Sequence, residues 1–108
     1  MFTNRIDIPY TDLGGGVKRR ILSYNDNIMA VEVSFETGAV GAMHTHPHAQ
    51  ISYVLSGKFE ATLGDEVKII TAGDTYATEP RLPHGVVCLE AGVLLDVFSP
   101  MREDFIKS

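Results

Sequence analysis

Turn-forming residues punctuate this chain about every 8–12 residues, and the segments of 5 to 8 residues between them read as strands. VKRRILSY (17–24) and IMAVEVSF (28–35) flank Asn25-Asp26-Asn27, a hairpin turn. Gly14-Gly15-Gly16 breaks the chain before the first of them, and Glu36-Thr37-Gly38 ends the second. QISYVL (50–55) runs into Ser56-Gly57, and KFEATL (58–63) alternates polar with apolar until Gly64-Asp65. EVKII (66–70), the turn Ala72-Gly73-Asp74 and TYAT (75–78) follow. GVVCLE (85–90) and VLLDVF (93–98) are divided by Ala91-Gly92. No helical period is sustained, and only the tail REDFIKS (102–108) is expected to make a helical turn. The expected fold class is all-β, a sandwich or barrel, with the site inside the barrel or at its mouth.

The chain has 108 residues, which fits one domain and leaves further apolar burial to be gained by pairing with a second copy. Its net charge of -5 argues against nucleic acid as a partner, because phosphate binding needs a basic surface. An anionic small ligand would have to be drawn in locally, by a metal or a placed arginine. The single cysteine, Cys88, lies in an apolar run and reads as a buried small hydrophobe. MFTNRIDIPY lacks the pattern of a signal peptide, and no apolar run approaches a membrane span, so the expected compartment is the cytoplasm, with no membrane partner.

Three of the four histidines fall in GAMHTHPHAQ (41–50). Residues two apart on a strand share a face, so His44 and His46 are expected to project together. Pro47 interrupts the strand, and alternation does not decide whether His48 keeps that facing or whether Gln50 returns to it. The fourth histidine, His84, ends the proline-rich turn EPRLPH, which is rigid enough to fix an imidazole across a barrel. A lone histidine is more often a core or surface residue. Four confined to two segments, with H-x-H on an expected strand, point to metal ligation. Imidazole suits Zn, Cu, Fe, Ni and Co. Three neutral rings and the Gln50 amide add no charge, so a divalent ion there keeps its full positive charge. That favours a Lewis-acid or anion-holding site over one that stabilises an oxidised metal.

LLDVFSPMRED also stands out. Alternation places Leu94, Asp96 and Phe98 on one face and Val93, Leu95 and Val97 on the other. A carboxylate on so apolar a strand is costly if buried alone. Either its face opens to a cavity or Asp96 has a partner. Phe98 alone would be a core residue, and Arg102 could pair locally with Glu103 or Asp104.

These residues resemble the cupin family. Its first motif is matched by Gly38, AVGAM, His44-Thr45-His46, PHA, Gln50, ISYVLS and Gly57, with Gln50 in place of the usual glutamate. Its second is matched by GDTYATEPRLPH (73–84). The resemblance implies a double-sheet jelly-roll β-barrel with His44, His46, Gln50 and His84 as ligands of one divalent transition metal ion, drawn from Ni, Zn, Mn, Fe and Co. It implies a single cupin domain over 1–108, with N-terminal strands 1–37, a metal-binding barrel 38–98 and a short tail 99–108.

DLGGGVKRRIL, YNDNIMAVEV, HTHPHAQ and GVLLDVFSPMREDF are similar to a narrower group, the small pectin degradation proteins of the KdgF type, which also carry that glutamine. This resemblance implies conversion of 4,5-unsaturated monouronates, released by pectin or alginate lyases, to linear 5-keto-4-deoxyuronates. It assigns the activity to Asp96, Phe98 and Arg102. Asp96 would shuttle protons, Arg102 would clamp the sugar carboxylate and Phe98 would wall the ring. Arg81, in the turn before His84, is a second expected anion contact. The alternatives are a metal-dependent dioxygenase on the same barrel and a non-catalytic sugar- or metal-binding cupin. The expected partners are a small anionic sugar and a second copy, as a homodimer joined through the N-terminal strand.

Overall fold

A computed structural model describes residues 1–106. After a 3-10 turn at Arg5–Asp7, the described residues form β1 (Thr11–Gly14), β2 (Val17–Asn25), β3 (Ile28–Phe35), β4 (Val40–His44), β5 (Ala49–Leu63), β6 (Glu66–Thr71), β7 (Thr75–Thr78), β8 (His84–Ser99) and α1 (Glu103–Ile106). All strand pairs are antiparallel, in the order β1-β2-β3-β8-β5-β6, with β4 on β8 and β7 on β5. This is an all-β barrel of antiparallel strands, the expected fold class. The helical turn expected over 102–108 is present as α1, and Lys107 and Ser108 lie outside the described residues.

Two long strands organise the barrel. The first half of β5 pairs with β7 and its second half with β6. The first half of β8 pairs with β4 and its second half with β3. They also pair with each other along their length, so the sheet folds over midway into two facing layers. Between the layers pack Phe35, Val54, Phe59, Cys88 and Leu94, with the Phe35 and Phe59 rings edge to face at 5.3 Å. Cys88 is the buried residue expected. A second cluster, Met29, Val31 and Phe98, fills the end toward α1.

The fold point corrects the turn reading. Ser56-Gly57 and Ala91-Gly92 do not end strands; β5 and β8 run straight through them. A Cβ at Gly92 would lie 2.1 Å from the Ser56 carbonyl oxygen, and one at Gly57, where φ is +85°, 2.6 Å from that of Glu90. Only glycine lets the two backbones approach this closely. Gly92→Ala is therefore expected to destabilise the fold by about 3 kcal/mol. An unchanged denaturant midpoint would show that this approach is not set by the missing side chain.

The glycine run also differs from expectation. Gly14 to Gly16 do not merely precede the first strand; all three have positive φ and turn β1 onto β2. β1 is thus an additional strand, and its other edge meets no strand among the described residues. The N-terminal segment is held down by a partly buried pair, Arg20 to Glu32 at 2.8 Å, with the Tyr10 hydroxyl donating to the same carboxylate at 3.2 Å and Arg20 Nη1 donating to Arg5 O and Ile8 O.

Candidate active site

The four candidate ligands meet at one end of the barrel. His44 ends β4 and stands opposite His84, the first residue of β8. Gln50 enters on β5. His46 lies beyond the end of β4, so the turn through Pro47, rather than strand alternation, brings its ring back beside the others. The His84 ring lies 4.3 Å from that of His44 and 4.7 Å from that of His46, and one ring nitrogen from each of the three falls within 4.8 Å of the others. His44 is exposed, while His46 and His84 are buried.

Backbone carbonyls fix the rings. Nδ1 of His44 donates to Ala42 O at 2.8 Å, that of His84 to Leu82 O at 2.8 Å, and that of His46 to His48 O at 3.0 Å. A carbonyl only accepts, so in the neutral tautomer each Nδ1 carries the proton and each Nε2 keeps its lone pair for a ligand. Burial pushes His46 and His84 below the ordinary imidazole range, which favours their neutral form.

This arrangement fits a cation. His84 Nε2 is buried with no hydrogen-bond partner. His46 Nε2 lies 2.9 Å from Gln50 Oε1, one acceptor against another. Turning the Gln50 amide would relieve this only by giving up the donation of its nitrogen to Ser52 Oγ at 2.9 Å and the Ser52 donation to Asp96. Buried polar atoms left in this state are costly, and a metal ion held by His46, His84 and Gln50 would satisfy them.

From Gln50 the network continues to Asp96. The Ser52 hydroxyl donates to Asp96 Oδ1 at 2.6 Å, so one oxygen ties the amide ligand to the carboxylate. Burial raises the Asp96 carboxyl from the ordinary 3.8 to about 6, against the lowering effect of hydrogen bonds from Ser52 and Gln50. Asp96 has both things its strand pattern left open, a cavity and a partner. Tyr76 stands beside it, its phenol pushed up by burial and then by the Asp96 carboxylate.

A cavity of about 250 Å3 is lined by His44, Gln50, His84, Asp96, Phe98 and Arg102, among others. It is smaller than the ~300–1,000 Å3 typical of drug-sized ligands, so it suits one small ring better than a chain of them. Phe98 is 3% exposed and presents its ring edge-on to His46 at 5.7 Å. It serves both the core and the cavity wall. The Arg102 guanidinium stands 5.2 Å from the Phe98 ring, and its Nη2 donates to Asp104 at 2.8 Å, the local pairing the sequence offered.

Two residues fall elsewhere. Arg81 is exposed and outside the cavity wall; it reaches the site only through its backbone, whose N–H donates to His46 O at 2.8 Å. The His48 ring stacks edge-on to His46 at 5.5 Å and does not join the three-histidine cluster. Sequence reasoning missed Ser52 and Arg19. Both were legible by alternation: Ser52 shares the Gln50 face of β5, and Arg19 sits between Val17 and Ile21 on β2.

The Cupin domain family matches residues 31–98 of the chain. "Pectin degradation protein KdgF" of Dickeya dadantii is 45% identical over 102 residues, covering 93% of each sequence. Among solved structures, an RmlC-like cupin from Shewanella frigidimarina superposes with a TM-score of 0.94 at 43% identity, over 96% of this chain and 94% of that one. KdgF from Halomonas sp. superposes with a TM-score of 0.94 at 36% identity, over 97% of each.

Proposed function

The chain belongs to the cupin family, in the group of KdgF, and on that premise we propose that it acts in pectin degradation by opening 4,5-unsaturated monouronates. The product is the linear 5-keto-4-deoxyuronate. The observation that carries this reading is the position of Asp96, a carboxyl near neutrality facing the same cavity as the ligand cluster.

The reaction is an isomerisation. The bond between C1 and the ring oxygen breaks, the C1 hydroxyl gives up its proton, and C1 becomes an aldehyde. The ring oxygen becomes the C5 enolate oxygen, and the proton taken from the C1 hydroxyl, delivered to C4, turns the enolate into a ketone. No electrons are gained or lost. Asp96 accepts the C1 hydroxyl proton and returns one at C4, a task suited to a carboxyl held near the working pH. Ser52 keeps its Oδ1 oriented. Phe98 offers a flat wall to the ring and excludes water. Arg102 faces the substrate carboxylate as a cation. A divalent ion held by His44, His46, Gln50 and His84 would supply Lewis acidity to the oxygen that gains negative charge.

The open edge of β1 supports pairing with a second barrel, as a homodimer. A one-chain mass in light scattering would count against that pairing.

The test of function gives metal-loaded protein freshly generated unsaturated monouronate and follows the ultraviolet absorbance of its conjugated double bond. Decay well above the buffer rate is expected. Oxygen uptake coupled to substrate loss would move the assignment to a dioxygenase. Binding with decay at the buffer rate would reduce the protein to a binding module.

A further inference from the structure

Arg19 is a cation on the inward face of a barrel strand. β2 turns Val17, Arg19 and Ile21 to the same side, and Arg19 lines the cavity with Val17. A charge at such a position is an error of patterning unless it has a use. Its guanidinium carbon lies 3.7 Å from the centroid of the Phe105 ring, and that of Arg102 lies 4.1 Å from the same centroid. One aromatic ring on α1 therefore gathers two guanidiniums at the cavity mouth.

The two cations share one carboxylate. Arg102 commits Nε and Nη2 to Asp104, at 3.3 and 2.8 Å. No carboxylate pairs with Arg19 among the described residues. Burial and then the neighbouring Arg102 work against its charge, and Asp104 offsets them in part. The mouth thus carries an excess positive charge in a chain whose net charge is -5. An entering anion would relieve the repulsion and complete a planar donor fork that no hydrogen bond occupies among the described residues.

We propose that Arg19 is the residue that receives the ligand's carboxylate, with Arg102, braced by Asp104, as the second contact. The pocket then selects a monoanionic sugar acid over a neutral sugar of the same shape. This rests on the site reading above for its substrate class, but its test can be separated from that reading.

Arg19→Gln is compared with wild type in the full-length, metal-loaded protein. KM for the unsaturated monouronate is expected to rise about 10–100-fold with kcat changed by less than about 3-fold, the pattern of a lost binding contact to a charged group. An unchanged KM, or a fall in kcat alone, would overturn the assignment. Arg19→Lys, which keeps charge and bulk, covers the case of a misfolded glutamine variant; a raised KM is expected, because the fork is lost. Calorimetry with saturated galacturonate and with galactose gives an independent readout. Wild type should prefer the charged sugar, and the Arg19 variant should lose that preference; a retained preference would refute the proposal. Should wild type fail to turn over the monouronate yet show this Arg19-dependent preference, the catalytic reading falls and the binding assignment stands.

Discussion

Asp96→Asn is expected to lower kcat by about 10²–10⁴-fold, the usual worth of a positioned proton carrier, with metal content unchanged. The substitution keeps shape and volume, and an amide can still meet the Ser52 hydroxyl that now donates to Oδ1 at 2.6 Å. Only the exchangeable carboxyl proton is lost. Variant turnover near the wild-type rate would remove Asp96 from the chemistry.

The same variant makes a stability prediction of opposite sign. Folding raises the Asp96 carboxyl from 3.8 to about 6, so the native state binds its proton more tightly than the unfolded chain. The stability this group contributes is present below about pH 4 and lost as pH rises through about 6. Asn titrates nowhere in this window. Metal-free Asp96→Asn should therefore melt above metal-free wild type at pH 7, and the gap should close toward pH 4. A gap independent of pH would mean that Asp96 is not held as an unfavourable buried charge. An active site that is destabilising in the resting protein is a common cost of catalysis.

His46→Ala is expected to lose metal and activity together, with metal affinity falling by more than the ~10–100-fold typical of residues that merely support a ligand. His46 is buried, its Nδ1 is tied to a carbonyl, and its Nε2 faces an oxygen that offers no proton. His48→Ala is the matched control. It removes a neighbouring ring but leaves the backbone carbonyl that orients His46, so metal content should be retained. Full metal content in His46→Ala, measured by elemental analysis after dialysis, would refute the ligand assignment.

Strand positions were legible because period-two alternation is a local property, and β2 and β3 begin at the residues their turn signals suggest. The crossing was misread because glycine serves two physical ends, turning a chain and letting two backbones touch. At Ala91-Gly92 the second applies, and its partner, Ser56, lies far away in sequence. The ligand group was legible from the clustering of imidazoles, yet the His44–His84 pairing spans a separation no periodicity encodes. The cavity mouth was the least legible part. It is assembled from the two ends of the chain, Arg19 on β2 and Phe105 on α1, and only the closed barrel brings them together.

Because β5 and β8 each serve both layers, Gln50, Ser52, His84, Asp96 and Phe98 ride on the same two strands that carry Val54, Phe59, Cys88 and Leu94. No hinge within β5 or β8 can open this pocket without also parting the interior. Amide hydrogens of β5 and β8 behind the pocket should therefore exchange only with the slowest, whole-molecule openings. Ligands must come and go past side chains at the rim, while the backbone behind them stays shut.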